Sequence, residues 1–466
     1  MMASLQPLSG QEDAKVFVTQ QIDLRAGHLG DVAQRIWEYA EVGYQEERSS
    51  ALLQEELRQA GFRVESGVAG MPTSFVAEWG AGAPVVAVLA EFDALPGLSQ
   101  AAVAERRPVV AEGAGHACGH HLFGTASTAA AIAVKQWLEQ SGTAGTIRVY
   151  GTPAEEGGSG KVYMVRGGLF DDVDVALSWH PGDGNDAGPS TNLANKNAKF
   201  RFRGVSAHAA AAPERGRSAL DGVEALNHMV NLLREHVPQT TRIHYVITDG
   251  GRAPNVVPEQ AEVWYYVRSP DPVVLEDVWQ RLLAAAEGAA RGTGTSVEHE
   301  IIGGVYSELP NETLARVADA NLRRVGGVRY SADERAFAEQ LQATLPAAAP
   351  ALATAEEVRP FEFHTTMAST DAGDVSWVAP YTSFSAATWV PGTPAHSWQA
   401  VAAGGTSIGA KGMLVAAKTL GMTAVDLFTQ PALIAAARAE FERRRPADFV
   451  YRPLLGDRAP ALDYRR

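Results

Sequence analysis

Pro84-Val-Val-Ala-Val-Leu-Ala90, followed at once by Glu91-Phe-Asp93, is the stretch that decides the fold. A continuous apolar run of this length predicts a strand covered on both faces, as in a parallel sheet. Upstream, Leu53, Leu57 and Ala60 fall at helical spacing and Gly61 stands where a helix would end. Downstream, an Ala-rich helix is expected over about Leu122–Glu139. A second strand, Thr146–Tyr150, ends in Thr152-Pro-Ala-Glu155-Glu156, and a third, Val173–Ser178, ends in Trp179-His180. Three successive strands thus carry acidic or imidazole side chains just past their C-terminal ends. In open α/β sheets that edge is where ligands bind.

Near Asn197 the pattern changes. Lys199–Val205 reads as a strand and Arg217–His236 as a helix with Leu220, Val223, Leu226, Val230 and Leu233 on one face. Arg242–Ile247 and Ala261–Val267 read as strands, Val274–Ala289 as a helix and Ser296–Val305 as a last strand. The order β-α-β-β-α-β is that of a ferredoxin-like module. The expected architecture is an α/β mixed-sheet catalytic domain in two pieces, 1–197 and 311–466, with an inserted ferredoxin-like (α+β) lid over 198–310. Thr382–Trp389 reads as a further strand of the larger domain. The Pro- and charge-rich stretch Arg443–Arg466 is expected to wrap the surface as an arm.

Composition narrows the function. The 466 residues carry a net charge of −14, which argues against a nucleic-acid-binding face. One cysteine, Cys118, excludes an intrachain disulfide framework and suits a reducing, cytoplasmic setting. Met1–Lys15 shows no apolar secretory core, and the longest uncharged stretch, around Leu122–Val134, is too short and polar to span a bilayer.

Cys118, His120, Glu156, His180 and His396 are five potential metal donors. Thiolate, imidazole and carboxylate are the groups that bind zinc and its neighbours, and a two-metal site needs several of them together. Taken singly, each has an ordinary structural explanation: a lone cysteine is usually a small buried hydrophobe and a Glu-Glu pair a solvated loop. All of them falling at the C-terminal edge of one sheet favours a metal site.

Gly115-His-Ala-Cys-Gly-His120, Thr152-Pro-Ala-Glu-Glu156, Ser178-Trp-His180, Gly204-Val-Ser-Ala-His208, Pro254-Asn-Val-Val-Pro258 and Gly392-Thr-Pro-Ala-His396 occur in this order. Over about Ile36–Lys418 the chain resembles the dinuclear-metal carboxypeptidase and amidohydrolase family, which includes aminoacylases, glutamate carboxypeptidases and auxin-conjugate hydrolases. Gly157-Gly-Ser-Gly-Lys161, Gly168–Val173, Arg217–Asp221, Ala372–Trp377 and Ser397-Trp-Gln399 look most like its aminobenzoyl-glutamate-hydrolysing branch. The resemblance implies two divalent cations (manganese or zinc foremost, nickel or cobalt as alternatives) held by Cys118, His120, Glu156, His180 and His396. It implies Glu155 as general base, Asp93 as support of the metal centre, and His208 as carbonyl-polarising donor to a partner subunit's site. Asn255 would bind the substrate carbonyl or carboxylate. From its own chemistry, Arg252 is a candidate to pair with a substrate carboxylate.

The expected reaction is hydrolysis of an amide joining an acyl or aroyl group to an amino acid, in a homodimer or with a companion subunit, without nucleic acid or membrane. A dipeptide, an N-acyl amino acid or an amine released from an activated ring is the alternative substrate class. A subunit active only beside its companion is the alternative from another class. His121 stands where relatives often carry Asp or Asn, the 99–113 loop with Arg106 and Arg107 is a candidate pocket wall, and Lys411 is read either as meeting an anionic substrate or as part of a helix start.

Overall fold

The computed structural model of the chain describes residues 10–345 and 348–465. Most of the opening stretch read for a secretory signal lies outside these residues. Six strands form the larger sheet, in the order Arg63–Ser66, Phe75–Ala81, Gly145–Thr152, Val85–Glu91, Val175–Leu177, Tyr381–Thr382. The first three pair antiparallel. From Gly145–Thr152 to Tyr381–Thr382 every pairing is parallel. Every residue of Val85–Glu91 is buried, as its unbroken apolar run requires.

Helix Glu47–Gln59 buries Leu53 and Leu57 and is followed by Gly61 at φ +90°. Helix His120–Ser141 is buried on all sides over its first fifteen residues, so its apolar residues form no single stripe. It packs against Val85–Glu91 and against the equally buried helix Ser407–Thr429.

A second sheet runs Ser296–Val305, Ala194–Arg203, Gln260–Ser269, Arg242–Asp249, all antiparallel. Helices Ala219–Leu233 and Pro272–Thr293 cover one face, giving the expected β-α-β-β-α-β order. Alternation along Gln260–Ser269 is strict: Val263, Tyr265 and Val267 face the helices, and Glu262, Trp264, Tyr266 and Arg268 the other side. This sheet has its own core around Phe200, Phe202, Tyr265, Leu275 and Trp279. The edge strand Arg242–Asp249 leaves Tyr245, Val246 and Ile247 exposed.

Two readings are corrected. The strand placed at Lys199–Val205 begins at Ala194, because Lys196 and Asn197 continue the ladder with Tyr266 and Val267 despite their polarity. Thr382–Trp389 is not one strand. Tyr381–Thr382 joins the larger sheet, and Ser385–Ala387 pairs with His180–Gly182 instead. The break turns the chain out of the sheet beside His180.

Phe200 is fully buried between Tyr265 and Trp279. Phe200→Ala is expected to destabilise the smaller sheet by about 3–5 kcal/mol. Urea unfolding followed by tryptophan fluorescence should show an early transition that leaves the larger core folded.

Candidate metal centre

The donors arrive on strand ends and on two tight turns. Gly119, at φ +77°, reverses the chain between Cys118 and His120; a Cβ there would lie 2.6 Å from the Pro181 ring, so the approach requires glycine. His120 opens its helix and His180 follows Val175–Leu177. Ala154 and His396 both hold left-handed backbone, at φ +56° and +58°, an expense that non-glycine residues bear chiefly at functional sites. The His396 amide is fixed on the Ala117 carbonyl at 3.0 Å, which ties this late segment to the Cys118 loop.

The His120 and His180 imidazoles are oriented the same way. His120 Nδ1 meets Asp93 Oδ1 at 2.8 Å, and His180 Nδ1 donates to the Pro181 carbonyl at 2.7 Å. Each therefore turns Nε2 inward, the arrangement by which a protein fixes the tautomer of a metal-binding histidine. Asp93 also accepts the Glu156 amide at 2.9 Å, so one carboxylate aligns two donors.

Cys118, His120 and His180 each place one ligand atom within 4.8 Å of the others, as do Cys118, Glu156 and His396, and as do Glu91, His120 and Glu155. All five donors read from the sequence therefore converge, with Glu155 beside them. Glu91 Oε2 and His120 Nε2 lie 3.0 Å apart, and Glu156 Oε1 and His396 Nε2 3.1 Å apart. Nevertheless Glu91 Oε2, His120 Nε2 and Glu156 Oε1 are buried without a hydrogen bond. Close but misaligned groups of this kind point at a common third party. Together with the thiol, imidazole and carboxylate donor set, these orphaned atoms fit divalent cations.

Electrostatics agree. Burial pushes the Glu155 acid up, and the neighbouring Glu91 and Glu156 carboxylates add to it. Burial likewise pushes the Cys118 thiol up. Burial opposes the charge of Glu91, yet Lys161 and His120 hold it well below the usual carboxylate range. The site concentrates negative charge that cations would neutralise.

Glu91, Lys161 and Asp371 are the site residues that sequence reading missed. Lys161 is fully buried, with Nζ 2.6 Å from both Glu91 Oε1 and Asp371 Oδ1. The available signal was a glutamate and a lysine inside otherwise apolar runs, because a buried charge demands a partner. Glu46, also buried, accepts the Ala154 amide at 2.8 Å and supports the same turn.

Other sequence candidates lie elsewhere. His208, Arg252 and Asn255 sit exposed on the smaller unit, outside the cluster of this chain. His208 pairs with Val256, and the Ala209 amide donates to the Asn255 carbonyl, so His208 and Asn255 share one tip. His208 Nδ1 accepts from the Ala210 and Ala211 amides, which leaves Nε2 as the N–H donor of the neutral ring. Lys411 lies in the first turns of helix Ser407–Thr429, bonded to Glu334 and the Arg329 carbonyl, which is its helix-start reading. His121 is buried against the Gly404 carbonyl. In the 99–113 loop Arg107 faces Glu105.

A twisted sheet with convergent metal donors at the C-terminal ends of its strands, joined to a ferredoxin-like unit, defines a two-metal hydrolase. Residues 194–293 match the peptidase dimerisation domain of M20 enzymes. The chain is 42% identical to a p-aminobenzoyl-glutamate hydrolase subunit of Escherichia coli, over 92% of this chain and 94% of that protein. It is 31% identical to the Xaa-Arg dipeptidase of Mus musculus, covering 91% of each. Its fold matches the solved structure of a dinuclear metal binding peptidase of the M20 family from Bacillus subtilis, with a TM-score of 0.60 and 17% identity, covering 87% of this chain and 99% of that one. The chain belongs to the M20 peptidase family and is a dinuclear metal-dependent hydrolase of amide bonds.

Removing Lys161 would leave Glu91 and Asp371 buried without a counter-charge. Lys161→Met is expected to cost about 3–5 kcal/mol of stability. Adding Asp371→Asn should recover part of that loss in a double-mutant cycle read by denaturant unfolding.

Proposed function

We propose that the protein hydrolyses the amide between an aroyl or acyl group and an amino acid, with aminobenzoyl-glutamate-type conjugates leading. The observation that carries this reading is the Cys118 thiol shared by two donor triads, with the Glu155 carboxyl alongside. Identity to a p-aminobenzoyl-glutamate hydrolase subunit supports the substrate class. In this reading Cys118, His120, Glu156, His180 and His396 hold two divalent cations, manganese or zinc, and Asp93 orients His120 and Glu156. The cations would supply Lewis acidity toward the amide carbonyl and toward water.

The protein's own groups do the proton work. Glu155, as the carboxylate, takes a proton from the attacking water and returns it to the departing nitrogen; burial and the neighbouring Glu91 and Glu156 carboxylates raise its proton affinity, which strengthens it as a base. His208, with Nε2–H outward, donates to the developing oxyanion in the site of a second copy, and Asn255 beside it contacts the substrate carbonyl. The exposed edge Arg242–Asp249 is the surface by which two copies join their smaller sheets. In this assignment residues 1–197 and 311–466 form the catalytic domain and 198–310 the lid. Among the described residues no single helix is long and apolar enough to cross a membrane. The lone thiol suits the reducing cytoplasm.

Arg268 fits the substrate carboxylate better than the exposed Arg252 does. It lies where the lid sheet meets the 369–371 loop, with Nη1 3.4 Å from Ser369 Oγ, and Nε is buried without a partner. It forms no ion pair among the described residues, so an anionic ligand would supply one.

Glu155→Gln is expected to abolish release of aminobenzoate from aminobenzoyl-glutamate while metal content, read by elemental analysis, is retained. Activity persisting in that variant overturns the mechanism. Full activity of the wild type on dipeptides alone overturns the substrate. Arg268→Met is expected to raise KM by roughly 10–100-fold, the loss of a charge-assisted contact of about 1.5–3 kcal/mol. Its kcat should change little, as steady-state assays would show.

A further inference from the structure

We infer that the 445–465 segment is a strap that holds the Glu155–Glu156 turn in its working position, with Tyr464 and Arg465 as positioning residues. The inference rests on the hydrolase reading above for what that turn does.

Glu156 is gripped at both ends of its backbone. Its amide donates to Asp93, while its carbonyl accepts from Tyr464 Oη at 3.0 Å and from Arg465 Nη2 at 2.7 Å. Two donors on one carbonyl, one of them cationic, form a strong and directional restraint. The turn needs one. It contains left-handed Ala154 and Gly157, and nothing of it lies within a helix or strand. A turn held in sparsely populated backbone geometry persists only where its surroundings over-determine it.

The remainder of the segment is built for this task. The Leu462 carbonyl accepts from Gln45 Nε2 at 2.7 Å, and the Tyr464 ring meets Tyr44 edge-on at 5.7 Å. Tyr44 in turn donates to the Gly158 carbonyl at 2.7 Å, two residues past Glu156. A Cβ on Gly43 would fall 2.2 Å from Tyr464 Oη, so glycine at that position makes room for the strap. At its other end the strap is fastened to the lid. Arg458 donates to the Ile301 and Ile302 carbonyls, and Leu454 lies against Gly304. Arg166 and Tyr451 add bonds to the catalytic core through the Gly456 and Arg458 carbonyls and through Asp374. One stretch of chain therefore joins the outer strand of the lid to the backbone of a metal-binding glutamate.

The full chain is the material for the test, with variants Tyr464→Phe, Arg465→Met, their combination and Arg465→Lys. Tyr464→Phe keeps the ring on Tyr44 and removes one donor. Three quantities are read: kcat and KM on aminobenzoyl-glutamate, manganese retained against a chelator, and the thermal unfolding midpoint. The double variant is expected to lower kcat by roughly 10–100-fold, with KM within about threefold, as misplacement of a reacting group does. It should release manganese more readily at an unchanged unfolding midpoint, and Arg465→Lys should recover part of both losses. Unchanged kcat and manganese retention in the folded double variant overturn the proposal. So does a loss that tracks a fallen midpoint and that Arg465→Lys does not restore. A wild type that hydrolyses nothing would refute the hydrolase reading instead, and manganese retention would still judge the strap.

Discussion

Five carboxyl groups and a thiol share one corner of this protein, where the fully buried Lys161 ammonium and the His120 and His396 imidazoles face them. Asp93, Glu91, Glu155, Glu156 and Asp371 all border the cluster around Cys118, and Lys161 lies at its base. Such a gathering of like charge is unfavourable in low dielectric unless cations complete it. The architecture around it makes sense as the means of meeting that demand. Parallel strands bring their C-terminal ends together, a buried helix starts at His120, and left-handed backbone at Ala154 and His396 shapes the turns that carry Glu155, Glu156 and the His396 imidazole. Lys161 settles the inner part of the charge, leaving the outer part to exogenous ions.

The division of labour among the acids follows from their surroundings. Glu91 faces Lys161 and stays ionised. Glu156 faces His396 and is held below its ordinary range despite burial. At Glu155, adjacent in sequence, burial and the Glu91, Glu156 and Asp371 carboxylates outweigh the pull of Lys161, so the acid form is favoured. Neighbouring residues of one type thus acquire opposite proton affinities, which is how a site separates a binding carboxylate from one that exchanges protons.

Much of this was legible in the sequence, for definite reasons. The run Val85–Ala90 could only be a doubly covered strand, and the donors at the ends of three such runs had to share one edge. The lid's order followed from alternating positions such as Val263, Tyr265 and Val267. What stayed hidden depends on contacts between distant residues. Lys161 and Asp371 are separated by 210 positions, and Glu156 and Tyr464 by 308. No local pattern encodes either meeting. The break between Thr382 and Ser385 was equally hidden, because an apolar stretch does not reveal that its two halves pair with different strands. The start of the lid strand at Ala194 is hidden in the same way, because Lys196 and Asn197 look like loop residues until their ladder partners are known.

The way the smaller unit is spliced in has an evolutionary corollary. The chain enters it along Ala194–Arg203 and leaves along Ser296–Val305, and these strands are hydrogen-bonded neighbours, with Asn195 opposite Val305. Entry and exit are side by side, so the catalytic sheet experiences the whole unit as it would a hairpin. Such a junction lets a module be lengthened, trimmed or exchanged without rethreading the host. Selection can therefore remodel the smaller unit while the convergent donors of the larger one stay as they are.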